Sequence, residues 1–129
     1  MGTRYLLDSN TIIDYIVRLH PDSGRKWLDK IVDEEIIVSV ITQIEVLSFD
    51  PGKDDNYKSL VEFFESAGIY DLTGDVVTKT IQIRQKQRIN LPDAVIAATA
   101  MCYGLVLVSR NTKDFKNIKG LQVIDPHRL

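Results

Sequence analysis

Four acidic residues stand where predicted strands or helices begin or end. Asp8 ends a short apolar strand, and Asp93 lies in the first turn of a helix. Glu45 follows a second strand within two helical turns, and Asp114 lies just beyond a third. If the fold brings these carboxylates together, they repel one another unless a cation lies among them. Mg²⁺ and Mn²⁺ prefer oxygen ligands, and two such ions about 4 Å apart can activate a water and stabilise the leaving oxygen of a phosphodiester.

Spacing alone does not prove a metal site, because the chain holds 18 acidic residues and each has a structural alternative. Asp8 could cap the helix that follows it, and Asp93 could interact with the dipole at its helix start. Glu45 could be a solvated helix residue, and Asp114 could belong to an ordinary turn. A strand that ends on an acid favours function, because parallel α/β sheets bind ligands at the carboxyl ends of their strands.

Strands alternate with helices along the chain. Apolar and β-branched runs predict strands at 5–8, 36–40, 69–72, 105–109 and 121–124. Helical spacing predicts helices between them; Ser9 or Asn10 caps the first, and Thr42 opens a short one after the second strand. Residues 50–55 form the clearest predicted loop. The alternation predicts one α/β domain over residues 1–129, with helices covering both faces of a parallel sheet.

Composition excludes several classes of protein. The chain has 129 residues and a formal net charge of −2. It contains a single cysteine, so an internal disulfide and a four-cysteine metal site are excluded. A protein that held nucleic acid by its overall charge would be basic. A phosphate-bearing substrate must therefore be held by a local basic patch, by bound metal, or by both. No apolar stretch approaches the roughly 20 residues of a membrane span, and no secretory signal precedes the first strand. We therefore expect a cytoplasmic protein.

Five segments resemble the motifs of one known family. They read, in chain order, YLLDSNTII (5–13), SVITQIEVL (39–47), LPDAVIAATA (91–100), VSRNTKDF (108–115) and GLQVIDP (120–126). The first four resemble the four acidic motifs of PIN-domain proteins, in particular toxin ribonucleases of the VapC type, and the last resembles their closing strand. The resemblance implies a three-layer α/β/α fold and a Mg²⁺- or Mn²⁺-dependent endoribonuclease. It also implies a homodimer and, for a toxin, an inhibitory antitoxin partner.

The same resemblance implies roles for single residues. Asp8, Glu45 and Asp93 fall on the three main acids of the family. Asp8 and Asp93 would be the main ligands of the first ion, and Glu45 a ligand or the base that orients the attacking water. Many relatives have an acid where Asn111 stands, and another where Asp114 stands. Either Asp114 completes the site, or a second metal binds weakly until RNA supplies phosphate oxygens.

Residues beside the acids complete the predicted site. Ser9, Thr42 and Ser109 carry hydroxyls suited to hydrogen bonds that fix the carboxylates. Arg110 and Lys113 flank the fourth motif and are the best candidates for contacts with RNA phosphates. Attack by a metal-activated water predicts products with a 5′-phosphate and a 3′-hydroxyl, whereas attack by the RNA 2′-hydroxyl would leave a cyclic phosphate.

Four other residues with reactive or ionisable side chains receive structural interpretations. Asp14 is expected to be an exposed helix residue. His20 and His127 have no partner at metal-binding spacing and are expected on the surface. Cys102 lies in an alanine-rich helix and is expected to be a buried small hydrophobe.

Two alternative functions fit part of the sequence pattern. A receiver-like or phosphatase-like domain would use an aspartate at the end of the first strand, but Asp8 has no adjacent acid. A catalytically inert PIN-like module would keep the fold and act through protein or RNA contacts. The presence of Asp8, Glu45 and Asp93 argues against the inert module.

Overall fold

The computed structural model describes residues 2–48 and 56–129, so the loop predicted at 50–55 lies outside the described residues. Five strands alternate with seven α-helices and one 3₁₀ helix in this part of the chain. In order they are β1 (Tyr5–Leu7), α1 (Ser9–Ile16), α2 (Asp22–Glu34), β2 (Ile37–Ser39), α3 (Val40–Leu47), α4 (Asn56–Glu65), β3 (Gly68–Tyr70), α5 (Gly74–Lys86), α6 (Leu91–Cys102), β4 (Val106–Val108), α7 (Thr112–Phe115), β5 (Val123–Ile124) and the 3₁₀ helix (Pro126–Arg128).

All strand pairings in the described chain are parallel. β1 pairs with β4, β4 with β5, and β2 with β3, while β1 lies beside β2. Leu7 is opposite Val108 at the carboxyl ends of β1 and β4. The acids and hydroxyls that follow these strands therefore lie at one edge of the sheet.

Successive strand residues face opposite sides of the sheet, as the two-residue period of a strand requires. Leu6 and Leu107 pack with the buried residues of α5 and α6 on one face. Leu7 and Val108 pack with α1, α2 and α4 on the other face. Two apolar cores thus separate the sheet from two helical layers, which confirms the three-layer α/β/α fold.

The helix α6 is buried over most of its length. Every residue of 94–100 is buried, and most of them are small. Small side chains let the helix lie close to the sheet and to α5, against which it packs extensively. Asn90 caps this helix by accepting a hydrogen bond at Oδ1 from the backbone N–H of Asp93, 2.9 Å away. Asp93 therefore projects from the first turn of a rigidly held helix.

Two predicted helix starts were wrong. Asp8 itself caps α1, because its backbone leaves the strand extended and its Oδ1 accepts a hydrogen bond from Ser9 N at 2.8 Å. The short helix after β2 begins at Val40 rather than Thr42, because the Ser39 hydroxyl caps it. In both places a polar side chain at the junction of strand and helix accepts a hydrogen bond from a backbone N–H group in the first turn of the helix.

The prediction that Cys102 is buried was also wrong. Cys102 is exposed, because it is the last residue of α6, beyond the stretch that the core covers. Within residues 2–48 and 56–129, every helix is too short or too polar to cross a lipid bilayer.

Candidate active site

The structure brings three of the four predicted acids to one cavity. Asp8, Glu45 and Asp93, from the end of β1 and from α3 and α6, all line a cavity of about 300 Å³. Asn10 and Asn111 line it too. Residues separated by more than 80 positions in sequence therefore meet at the carboxyl edge of the sheet.

Asp8 is the most enclosed of these acids. Its side chain is buried, and Oδ2 accepts a hydrogen bond from Ser109 Oγ at 2.7 Å. Burial raises the pKa of Asp8, while the hydrogen bonds from Ser109 and from Ser9 N oppose that rise and the charge of Glu45 adds to it. The ionised form of Asp8 thus depends on donors that the fold holds in place.

The predicted hydroxyls behave differently from one another. Ser9 Oγ donates to Glu45 Oε1 at 2.9 Å, so it links α1 to α3 across the cavity. Ser109 donates to Asp8. Thr42 lies one turn before Glu45 and is completely buried, and its Oγ1 has no hydrogen-bond partner among the described residues. The expected hydrogen bond from Thr42 to a carboxylate is therefore not formed.

Burial and the three other acids all raise the pKa of Asp93. Burial is the largest cause that raises its pKa to about 6, and the negative charge of Asp8 is the second. Asp114 and Glu45 raise it further, while a hydrogen bond with Asn90 lowers it. With a pKa near 6, the Asp93 carboxyl group is mostly ionised at neutral pH, and a cation bound nearby would favour the ionised form further.

The fourth acid lies in an adjoining cavity. Asp114, on α7, is exposed, and its Oδ2 accepts a hydrogen bond from Asn111 Nδ2 at 2.9 Å. Together with Asp93 it lines a cavity of about 710 Å³. The same cavity is lined by four basic side chains: Arg84, Arg88, Lys113 and Lys116. Asp93 thus lies between an acidic cavity and a basic one.

Sequence reasoning missed the role of Asn10. Its Nδ2 donates to Asp8 Oδ2 at 3.3 Å and to Ser109 Oγ at 3.2 Å, and its Oδ1 accepts from Arg110 N at 3.1 Å. One amide therefore joins the ends of β1 and β4. The available signal was its position two residues after Asp8, where a polar side chain on the first turn faces the strand ends.

Arg110 is not free in this structure. Its Nη1 donates to Asp14 Oδ2 at 3.0 Å, and about half of the arginine side chain stays exposed. The expectation that Asp14 is exposed was wrong, because its side chain is only 3% exposed and Arg110 covers it. Asp14 also borders the acidic cavity.

The expectations for both histidines were wrong as well. His20 is buried, and neither of its ring nitrogens has a hydrogen-bond partner within the described chain. His127 is about one quarter exposed, and its Nε2 lies 3.0 Å from Asp14 Oδ2. The two imidazole rings are stacked at a tilt, with centroids 4.6 Å apart. Burial lowers the pKa of His20, and the nearby His127 lowers it further.

Arg110 lines the acidic cavity, but among the residues that the structure describes no basic side chain pairs with Asp8, Glu45 or Asp93. The four acids Asp8, Glu45, Asp93 and Asp114 form no ion pair there, and Arg110 is engaged by Asp14. Carboxylate oxygens in this number are the donor set that Mg²⁺ and Mn²⁺ prefer. The residues present therefore fit a hard divalent cation.

A parallel α/β/α sheet with acids from four motifs at its carboxyl edge defines the class of this protein. The PIN domain family model matches residues 5–121, so the chain belongs to the PIN domain family. A stretch of 41 residues is 51% identical to Ribonuclease VapC1 of Rickettsia felis. That stretch spans 30% of this chain and 31% of the relative.

Solved structures share the whole fold. A chain of the DNA-bound VapBC structure from Salmonella typhimurium superposes with a TM-score of 0.81 at 24% identity, covering 97% of this chain and 99% of that one. A chain of the VapBC2 structure from Rickettsia felis has a TM-score of 0.78 at 26% identity and covers 95% of this chain and 98% of its own. A chain of a toxin–antitoxin complex from Klebsiella pneumoniae has a TM-score of 0.74 at 29% identity and covers 95% of this chain and 97% of its own.

Proposed function

We propose that this protein is a Mg²⁺- or Mn²⁺-dependent endoribonuclease that cleaves RNA phosphodiester bonds with water. One observation carries the proposal: Asp8, Glu45 and Asp93 line one cavity without an ion pair among the described residues. Such an arrangement costs free energy unless a cation binds, because burial and neighbouring negative charge raise the pKa values of Asp8 and Asp93. The similarity of a 41-residue stretch to a protein named Ribonuclease VapC1 supports RNA as the substrate.

Asp8 and Asp93 would hold the first ion, and Glu45 would be a further ligand or the base that orients water. When bound, the ion supplies positive charge to the phosphate and a more acidic water as the nucleophile. Ser109 and Ser9 would keep the carboxylates of Asp8 and Glu45 in fixed orientations, since each donates a hydrogen bond to one of them. Water attack leaves a 5′-phosphate and a 3′-hydroxyl.

A second ion would use the adjoining cavity. Asp93 borders both cavities, Asp114 lines the adjoining one, and Asn111 lines the acidic cavity and donates a hydrogen bond to Asp114. Only one of the last two residues carries a charge, so a second ion would bind more weakly than the first until phosphate oxygens contribute. Calorimetric titration with Mn²⁺ would distinguish the binding of the first ion from that of the second. The second ion should bind more tightly when a non-cleavable RNA is present.

RNA would approach along the basic cavity beside Asp93. Lys113 lines it with three other basic side chains, which offers positive charge to phosphates on a protein whose formal net charge is −2. Arg110 lines the acidic cavity, and its Nη1 could contact phosphate only by leaving Asp14. These contacts would hold the RNA backbone rather than read its sequence.

The test is cleavage of fluorescently labelled single-stranded RNA by purified protein with Mn²⁺ or Mg²⁺. Asp8→Asn and Asp93→Asn should each lower the rate at least about 100-fold, and Asp71→Asn, an exposed acid outside the site, should not. Mass spectrometry of the products should show 5′-phosphate ends. Cyclic phosphate ends would contradict the mechanism. Absence of both cleavage and metal binding would favour the inert binding module.

We further propose that the protein is the toxin of a toxin–antitoxin pair and forms a homodimer. The similar solved structures include VapBC2 of Rickettsia felis and a toxin–antitoxin complex from Klebsiella pneumoniae, which supports an antitoxin partner. Apolar side chains that a single chain leaves exposed include Ile44, Val77, Ile81 and Leu91. A short neighbouring gene for a DNA-binding protein, whose product co-purifies with this chain and suppresses cleavage, would support the pair. A monomer by light scattering would contradict the dimer.

A further inference from the structure

A second group of metal-ligand side chains lies outside the four acidic motifs. It consists of Asp14 on α1, His20 in the connection to α2, and His127 in the 3₁₀ helix. One ligand atom from each residue lies within 4.8 Å of the other two. Asp14 and His20 are buried and His127 is partly buried, so the fold has brought three polar side chains together away from bulk water.

Local structure places each member of this group. After α1 the chain reverses at Arg18, whose φ of 62° is in the left-handed region, and Leu19 N donates to Asp14 O at 2.8 Å. This reversal returns His20 to the side of α1 that carries Asp14. A left-handed conformation at a residue other than glycine costs roughly 1 kcal/mol. The surroundings therefore enforce the position of His20.

The third ligand arrives from the distant end of the sequence. The 3₁₀ helix packs against α2 at Gly24, where a Cβ atom would lie only 2.0 Å from Pro126 O. Asp125 caps the 3₁₀ helix by accepting a hydrogen bond from His127 N at 2.9 Å. Only glycine at position 24 allows the 3₁₀ helix to lie this close to α2. In this position of the 3₁₀ helix, the His127 ring contacts Asp14.

His20 is the observation that points to a ligand. A neutral imidazole has one N–H donor and one acceptor nitrogen, and both ring nitrogens of His20 are buried without a hydrogen-bond partner in the described chain. Leaving such groups unsatisfied is unfavourable, and a metal ion bound to one nitrogen would remove part of that cost. The neighbouring His127 and Asp14 supply the other donor atoms of a histidine–histidine–carboxylate set.

The distances suit a tetrahedral ion after a small adjustment. With metal–ligand bonds of about 2.0–2.2 Å, neighbouring ligand atoms in a tetrahedron lie about 3.3–3.6 Å apart. Asp14 Oδ2 and His127 Nε2 are already 3.0 Å apart. Since no two of the three ligand atoms are more than 4.8 Å apart, side-chain movements of at most about 1.5 Å would bring the other pairs to the same spacing. A fourth position would be left for water.

We propose that Asp14, His20 and His127 form a binding site for Zn²⁺ or a similar transition metal ion, distinct from the carboxylate site for Mg²⁺. Imidazole nitrogens favour Zn²⁺ over Mg²⁺, which prefers oxygen ligands. Arg110 competes with the ion, because it donates to the same carboxylate. Zn²⁺ would therefore release the guanidinium of Arg110 toward the acidic cavity that it lines.

The test is Zn²⁺ titration of metal-free protein purified without a histidine tag, in excess Mg²⁺ to occupy the carboxylate site. Calorimetry should show one Zn²⁺ per chain. His20→Gln and His127→Gln should each weaken binding at least about tenfold, since each removes one of three protein ligands. Asp71→Asn should bind as the wild type does. Arg110→Met should strengthen binding roughly two- to tenfold, because a competing positive charge is gone.

A second measurement needs no variant. The chain has only two histidines, so ring ¹⁵N signals in the wild type report on these two residues alone. Both should shift and saturate at one equivalent of Zn²⁺. Absence of Zn²⁺ binding, unchanged ring signals, or equal affinity in the histidine variants would overturn the proposal. This result is independent of RNA cleavage, which Asp8→Asn would abolish without altering the Zn²⁺ titration.

Discussion

Replacing Asp93 by asparagine should stabilise the metal-free protein at neutral pH. Asp93 is half-buried, and burial with the charge of Asp8 raises its pKa from 3.8 to about 6. The folded chain therefore binds a proton at Asp93 more tightly than the unfolded chain does. Its contribution to the free energy of unfolding is fully present below pH 3.8 and is lost as the pH rises through about 6.

The size of the effect follows from the same shift. A rise from 3.8 to about 6 corresponds to about 3 kcal/mol at 1.36 kcal/mol per unit. Solvent reaches half of this side chain and screens its charge, so about 1–2 kcal/mol remains. Asparagine carries no charge at any of these pH values. We therefore expect Asp93→Asn to melt about 3–6 °C above the wild type at pH 7.5 without metal.

Urea unfolding in EDTA between pH 4 and pH 8 measures this difference directly. The two proteins should be similar in stability near pH 4 and should diverge through pH 6, while Asp71→Asn should follow the wild type. Excess Mg²⁺ should reverse the order at pH 7.5, because binding stabilises the folded wild type more than the variant. A stability difference that does not change with pH would refute the reasoning about Asp93.

Two further predictions concern single contacts. Gly24→Ala should lower the free energy of unfolding by about 1–3 kcal/mol in urea, because the new Cβ would overlap Pro126 O. Gly74→Ala should not destabilise the protein, since its Cβ would meet nothing within 4 Å; equal losses would contradict this. Ser109→Ala should weaken Mg²⁺ binding about 10- to 100-fold by calorimetry, because Asp8 loses the donor at 2.7 Å. Unchanged affinity would show that Asp8 is oriented by other groups.

The parts of the fold that local patterns determine could be predicted from the sequence. The apolar run before Asp8 and the alanine-rich run after Asp93 each belong to one element, so their periods and end residues carry the information. Parallel sheets, whose strand ends share one edge, made a meeting of Asp8, Glu45 and Asp93 possible, and the resemblance to the PIN-domain motifs selected these three acids. The first residues of the helices were harder to predict from the sequence, because Asp8 and Ser39 could each be the last residue of a strand or the N-cap of the following helix.

The contacts that sequence reasoning missed join distant parts of the chain. Asp14 and His127 are 113 positions apart, and no spacing rule connects them. Asp14 was expected on the surface because its burial depends on Arg110 and the 3₁₀ helix, which arrive from the other end of the chain. Asn10 was missed because an uncharged amide leaves no distinctive pattern, although it joins two strand ends.

The burial of α6 couples the hydrophobic core to the proposed metal site at its first turn. Ala97 and Ala98 are completely buried, so a larger side chain at either position must push the helix away from the sheet. Asp93 belongs to the same rigid rod and would move with it. Reactions that depend on positioning lose rate steeply with displacements near 1 Å. Substitutions in the middle of α6 should thus abolish the proposed RNA cleavage in proteins that still fold, and a screen for solubility would not find them.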